Sequence, residues 1–242
     1  MKERINQLNE QLRDASAEEV LECVIKQFNG KICFASSMGA EDQVLTAMIA
    51  AINPATHIFT LDTGRLFNTT LSLIGNTRER FNVRIDVLFP EAAAVEKMVN
   101  EKGVNLFYES VENRKLCCNI RKVVQVRRAL VGMDAWISGL RREQSVTRAH
   151  MNIVEWDEEF GLVKINPLIS WTEEQVWEYI RKNNIPYNPL HDNGFRSIGC
   201  QPCTRAVKPG DDLRSGRWWW EDADKKECGL HEFRKSEDSH PA

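Results

Sequence analysis

Apolar positions along this chain recur with two periods, and the switches between them mark out elements. In "SAEEVLECVIKQFNG", Val20, Leu21, Val24, Ile25 and Phe28 fall at helical spacing. Ser16 and Glu19 open that stretch as a capping box, and Gly30 is a natural stop. The short apolar run "KICFAS" predicts a strand. The turn "SMGAED" follows, then a helix carrying Val44, Leu45, Met48 and Ile49. "HIFTLDTG" predicts a second strand ending in an acidic turn, and a helix is expected over about 66–81. "VRIDVLFP" predicts a third strand, with helices expected over about 91–102 and 119–131. "AWISGL" and "LVKINPL" predict further strands, and Thr172 with Gln175 forms a second capping box before "EEQVWEYIRKNN".

Strands thus alternate with helices from residue 31 to about 140, which implies an α/β fold with a parallel sheet and helices on both faces. In such sheets ligands sit beyond the carboxyl ends of the strands. Here those ends carry "SSMGAED", "LDTGR" and "SGLRREQS". After residue 188 the texture turns rich in Gly, Pro, Asp and Arg. Residues 189–242 read as an irregular C-terminal arm, too short for a core of its own, belonging to one domain with residues 1–188. No internal repeat or low-complexity tract interrupts the chain.

Composition narrows the field. The 242 residues are 42% hydrophobic and 28% charged, ordinary for a globular protein with a sizeable core. A net charge of −3 argues against a nucleic-acid partner. No apolar run reaches the roughly 18–20 residues of a membrane span, and the polar, helix-like "MKERINQLNEQLRDAS" is not a signal peptide. The expectation is a cytoplasmic protein with no membrane association; a homo-oligomer is compatible with the sequence. In a reducing compartment, seven cysteines suggest metal ligands or reactive thiols before disulfides.

Three constellations carry chemistry. The strand–turn–helix joint "FASSMGAEDQVL" gathers backbone N–H groups, the Ser36 and Ser37 hydroxyls and the close approach allowed by Gly39. It reads either as an anion site or as a turn whose Ser and Gly serve geometry alone, and it lacks the lysine of a P-loop. Arg141 and Arg142 follow a strand end, Arg114, Lys115, Arg121 and Lys122 bracket a cysteine pair, and Arg214 and Arg217 flank a Ser-Gly. Taken singly each is a solvated charge; together they suit a small polyanion. Third, Cys200 and Cys203 form a C-x-x-C in "IGCQPC", while Cys117 and Cys118 are adjacent in "RKLCCNIRK". Four such ligands suit zinc or an iron–sulfur cluster. Adjacent cysteines diverge on a helix and reach one large cluster more readily than one compact ion, which favours the cluster. Cys228, in "KKECGLHE", has Lys225, Lys226 and His231 nearby to lower its pKa, or is a tail cysteine without a role. Cys23 and Cys33 read as core residues.

At this point a resemblance enters. "CC" followed by "RK", then "GLRREQS", "YNPLHDNG", "IGCQPCT", "DLRSGRWW" and "ECGLHE", in that order, resemble the assimilatory adenylyl-sulfate (APS) reductases of the cluster-containing bacterial type, from about residue 30 to 232. The resemblance implies an adenine nucleotide α-hydrolase-like fold, a 4Fe-4S cluster on Cys117, Cys118, Cys200 and Cys203, and Cys228 as nucleophile. It implies that Ser36, Ser37, Gly39 and Asp42 belong to the nucleotide loop and that Asp62, Thr63, Gly64 and Arg65 lie near the nucleoside. Lys122, Arg214, Arg217 and His231 would meet the phosphosulfate, with Arg141 and Arg142 at the same ligand edge. A small residue is expected where Met38 stands, and a larger one there would alter the loop's grip on the nucleotide.

The implied reaction is reduction of adenosine 5′-phosphosulfate to sulfite and AMP through an S-sulfocysteine, with thioredoxin or glutaredoxin as external reductant because no thiol-reductase domain is fused to the chain. Competing readings are the same reaction on the 3′-phosphorylated nucleotide, an ATP-dependent tRNA sulfurtransferase, and a zinc-ribbon module without catalysis. The role of Trp218 to Trp220 is not given by the sequence.

Overall fold

The computed structural model describes residues 2–145 and 148–222. Helix α1 (Lys2–Gln11) precedes α2 (Ala17–Phe28), whose Ser16–Glu19 capping box forms as the sequence predicts. Then come β1 (Ile32–Ser36), α3 (Ala40–Ile52), β2 (His57–Leu61), α4 (Asn68–Phe81), β3 (Ile85–Leu88) and α5 (Ala92–Lys102). Helix α6 (Val111–Cys118) runs through a π-helical turn (Asn119–Val123) into α7 (Val124–Ala129). The chain closes its sheet with β4 (Ala135–Ile137), β5 (Val154–Asp157) and β6 (Leu162–Ile165), followed by α8 (Glu173–Lys182).

The sheet order is β3-β2-β1-β4-β6-β5, parallel throughout except for β5. This is the expected α/β fold, with one amendment at the edge: β5 pairs antiparallel with β6 through a turn in which Gly161 takes φ +67° and its N–H reaches Asp157 O at 2.7 Å. Asn9 of α1 covers the outer edge of β5, donating to Val154 O at 2.8 Å and accepting from Val154 N at 3.0 Å. An edge strand so covered presents less unpaired backbone for aggregation.

Alternation along the strands fills both faces. Ile32 and Phe34 of β1, with Ile58, Ala135 and Ile137, pack against α2, α3 and α8; Cys33, Phe59 and Trp136 face the opposite way, onto Val126 and Leu130. Near-continuous apolar strands are what a parallel sheet buried on two faces demands. The connections leave β1 in opposite directions, toward β2 on one side and β4 on the other, so a crevice opens beyond their carboxyl ends. Residues 189–222 lie across that edge, tied by Gln201 N–H to Arg65 O at 2.8 Å, and the segment is entered through Asn188, whose Nδ2 donates to Thr70 Oγ1 at 2.9 Å.

Candidate active site

The crevice holds a cavity of about 210 Å³. Ser36, Ser37 and Gly39 line it from the β1 end, Thr60 and Thr63 from β2, and Ser138 and Gly139 from β4. Its opposite wall is cationic: Lys122 from the π turn, Arg148, and Arg196, Arg214 and Arg217 from the arm.

In the loop after β1 the Ser37 donors already have a partner within the chain. Asp42 Oδ2 accepts from Ser37 N at 2.5 Å and from Ser37 Oγ at 2.6 Å. Burial pushes the Asp42 carboxyl up to about 6, against the two Ser37 bonds, with Glu41 adding a smaller push. Glu41, at the same helix start, holds Arg141 Nε at 2.8 Å. The positive end of α3 is therefore met by the chain's own carboxylates, and the cationic wall opposite is the place for a ligand's negative charge. Met38 stands at φ +62° and turns into the core against Leu73 and Ile74, so its bulk leaves the cavity untouched.

The expected residues divide by position. Ser36, Ser37, Gly39, Asp42, Thr63, Lys122, Arg214 and Arg217 reach the cavity. Arg141 and Arg142 do not. Arg141 is fully buried among Glu41, Glu143 and the Trp171 carbonyl, and Arg142 Nε donates to Met151 O at 3.0 Å. Asp62 and Gly64 shape the turn, with Gly64 N–H on Asp62 Oδ1 at 2.8 Å and Gly64 at φ +70°. Arg65 does not line this cavity; it lies over the Phe107 ring at 5.2 Å and lines the smaller void that adjoins it. Cys228 and His231 lie outside the described residues. Sequence reasoning missed Arg148, Arg196 and His191, which line the same cavity. Arg196 and His191 sit inside "LHDNGFRSIGC", a stretch whose basic residues were the available signal. Burial holds His191 below its ordinary pKa, against the pull of Glu41 and the Phe195 backbone, and neither ring nitrogen is in a well-formed hydrogen bond.

A second, smaller void of about 20 Å³ adjoins the first. Cys117, Cys118, Cys200 and Cys203 all line it, each cysteine buried and none in a disulfide. Cys117 and Cys118 end α6, and the widened π turn that follows brings Arg121 and Lys122 to the same void; such insertions recur at functional sites. The Gln125 side chain takes up Ile120 O within that turn at 3.0 Å. Cys200 and Cys203 bracket a short 3-10 turn, Cys203 N–H meeting Cys200 O at 2.9 Å. Burial pushes Cys117 up and Cys203 up to about 12. Burial pushes Cys200 up as well, but Lys122, the Thr63 hydroxyl at 3.2 Å, Arg217 and Arg121 outweigh it and leave the thiol below its ordinary value. Among the described residues no three His, Cys, Asp or Glu side chains gather tightly enough for a single metal ion.

Lys122 and Arg217 line both voids. Trp218, at φ +41°, is buried behind them with Arg217, Arg114 and Arg214 over its ring at 4.6, 4.7 and 5.8 Å. Trp219 and Trp220 pack on Tyr108 at 6.2 and 4.4 Å, and Trp218 and Trp220 pack in one cluster with Cys117, Cys200 and Cys203, so the tryptophans fasten the arm beside the cysteines.

Residues 31–206 match the family model for the phosphoadenosine phosphosulfate reductase domain. The chain belongs to the phosphoadenosine phosphosulfate reductase family. Within that family it is similar to an adenosine 5′-phosphosulfate reductase of Burkholderia cepacia, 50% identical over 220 residues that cover 90% of this chain and 88% of the relative. It is 49% identical to another from Allochromatium vinosum, over 95% of this chain and 91% of that one. Among solved structures it is similar to a phosphoadenylyl-sulfate reductase of Candida auris, crystallised as a phosphate complex. The TM-score is 0.73 at 28% identity, covering 86% of this chain and 98% of the other. The resemblance to the adenylyl-sulfate reductases is met at the level of the family. In this reductase the family match runs through both cysteine segments and stops short of the Trp218–Trp220 stretch.

Proposed function

We propose that this reductase converts adenosine 5′-phosphosulfate to sulfite and AMP, with Cys228 as nucleophile. The observation that carries the reading is the wall of Lys122 and Arg217 common to the crevice cavity and the cysteine void. A polyanion placed against that wall has its nucleoside toward the β1 and β4 loops, because the α3 start already holds Glu41 and Asp42.

The Cys228 thiolate attacks the sulfur of the phosphosulfate. An S–S bond forms, the bond from sulfur to the bridging oxygen breaks, and that oxygen's electron pair leaves with AMP. Lys122, Arg148, Arg214 and Arg217 offset the charge that otherwise repels an anionic nucleophile from an anionic ester. A thiolate of thioredoxin or glutaredoxin then attacks Cys228 Sγ, sulfite departs with the electron pair of the S–S bond, and a second thiol of that partner resolves the mixed disulfide. The partner's dithiol supplies both electrons. His231 orients the ligand or the thiolate.

Four buried, unbridged cysteines around one void, backed by cations, fit a 4Fe-4S cluster better than a single zinc ion, since each iron takes one thiolate. Cys117, Cys118, Cys200 and Cys203 would hold it. When bound, it would supply charge at the void that Lys122 also lines, and the partner's dithiol accounts for both electrons of the reaction. The reading places the enzyme in the cytoplasm, where such dithiols are kept reduced. Among the described residues no helix is long and apolar enough to cross a membrane.

Action on the 3′-phosphorylated nucleotide is the second reading, supported by the likeness to the Candida auris enzyme. Sulfite release measured with each nucleotide and reduced thioredoxin separates the two. Faster turnover of adenosine 5′-phosphosulfate is expected; a preference for the 3′-phosphorylated form would overturn the choice.

A further inference from the structure

Arg114 lies on α6 three residues before Cys117 and lines the cysteine void. Its guanidinium grips Glu221 by two parallel bonds, Nε to Oε1 at 3.0 Å and Nη2 to Oε2 at 2.9 Å. Both side chains are out of solvent, at 0% and 3% exposure. The same guanidinium lies 4.7 Å over the Trp218 ring. The turn that carries Glu221 is fastened a second time, by Glu221 N–H to Trp218 O at 2.8 Å and by Trp218 N–H to Cys203 O at 3.2 Å. Residues 218–221 are thus held to both cysteine segments at once.

A planar fork on a carboxylate fixes orientation as well as distance. Buried ion pairs are poor stabilisers, because desolvation of two charges offsets their attraction; here the two-bond geometry joins α6 to the turn of Glu221 in one orientation. This one stands seven residues before Cys228. Seven residues span at most about 25 Å when fully extended, so whatever fixes Glu221 bounds where the Cys228 sulfur can go.

We propose that Arg114 and Glu221 are positioning residues for the reaction: their ion pair anchors the root of the arm to the cysteine-bearing helix and sets the reach of Cys228 to the phosphosulfate. The cysteine helix and the nucleophile's arm then share one support. The inference rests on Cys228 being the nucleophile.

The test uses the metal-loaded enzyme, without reductant, and follows AMP released in the first turnover on adenosine 5′-phosphosulfate. Visible absorbance and AMP affinity are measured beside it. Glu221→Gln, which keeps the shape and removes the charge, is expected to slow that release at least tenfold with absorbance and AMP affinity unchanged. A merely structural role would move the last two, or nothing. First-turnover release at the wild-type rate overturns the anchor. Absence of any such release in the wild-type enzyme sinks the nucleophile reading instead. Should Glu221→Gln lose its absorbance, Glu221→Asp takes its place, keeping the charge but withdrawing the carboxylate by one methylene; slower release is again expected, and an unchanged rate overturns the proposal.

Discussion

A side-chain carbon placed on Gly199 would stand 2.3 Å from Nη2 of Arg217. The arginine lies flat along the backbone there, in the wall between the two voids, and glycine is what admits it. Gly199→Ala is expected to displace the guanidinium while leaving the fold intact, since the encroached atoms are the end of a side chain. Losing one charge-assisted hydrogen bond costs about 1.5–3 kcal/mol, so kcat/KM should fall by roughly 10- to 100-fold. Unchanged kinetics would show that Arg217 does not meet the substrate.

The four-cysteine arrangement predicts that Cys200→Ser costs iron, inorganic sulfide, visible absorbance and turnover together. Cys200 is the thiol whose anionic form is best supported, by Lys122, Thr63, Arg217 and Arg121 against its burial. Iron and sulfide assays on the purified variant check this. Stoichiometric zinc with retained activity would contradict it.

Asp42 makes the stability of the β1 loop depend on pH. Its folded pKa, about 6, lies above the ordinary 3.8, because burial disfavours the charge. A group raised in this way contributes stability that is fully present below pH 3.8 and is lost as pH rises through about 6. Between pH 5 and 7 the loss is about 1 kcal/mol. Asp42→Asn removes the titration, so the stability difference between wild type and variant, from urea melts, should shift by about that amount in the variant's favour on raising the pH over that range. Parallel pH profiles would show that Asp42 is charged throughout.

Much of the architecture was legible because it depends on near neighbours. The capping boxes at Ser16 and Thr172 and the run from β1 to β4 are local patterns, and the structure reproduces them. Strand β5 was not legible: "VEWD" is short, and it becomes a strand by pairing with β6. The π turn after Cys118 was read as ordinary helix, since no Gly or Pro marks it. In the site, the spacing of Cys117, Cys118, Cys200 and Cys203 suggested that they gather, and the structure brings the four to one void. The cations were legible as a group and misread singly. Arg141 looked available beside a strand end, yet its partner Glu41 lies 100 residues earlier, and only the fold brings the two together. Of the two readings the Ser-Gly loop allowed, the structure adds what spacing could not: Ser37 meets the chain's own Asp42, supplied by the helix that the loop begins.

The most direct measurement is the mass of the enzyme after mixing with adenosine 5′-phosphosulfate in the absence of any thiol reductant. One added sulfonate per chain, on the peptide containing Cys228 and discharged as sulfite by reduced thioredoxin, is the expected result. AMP formed with no sulfonate on that peptide, or an unmodified chain, would contradict it.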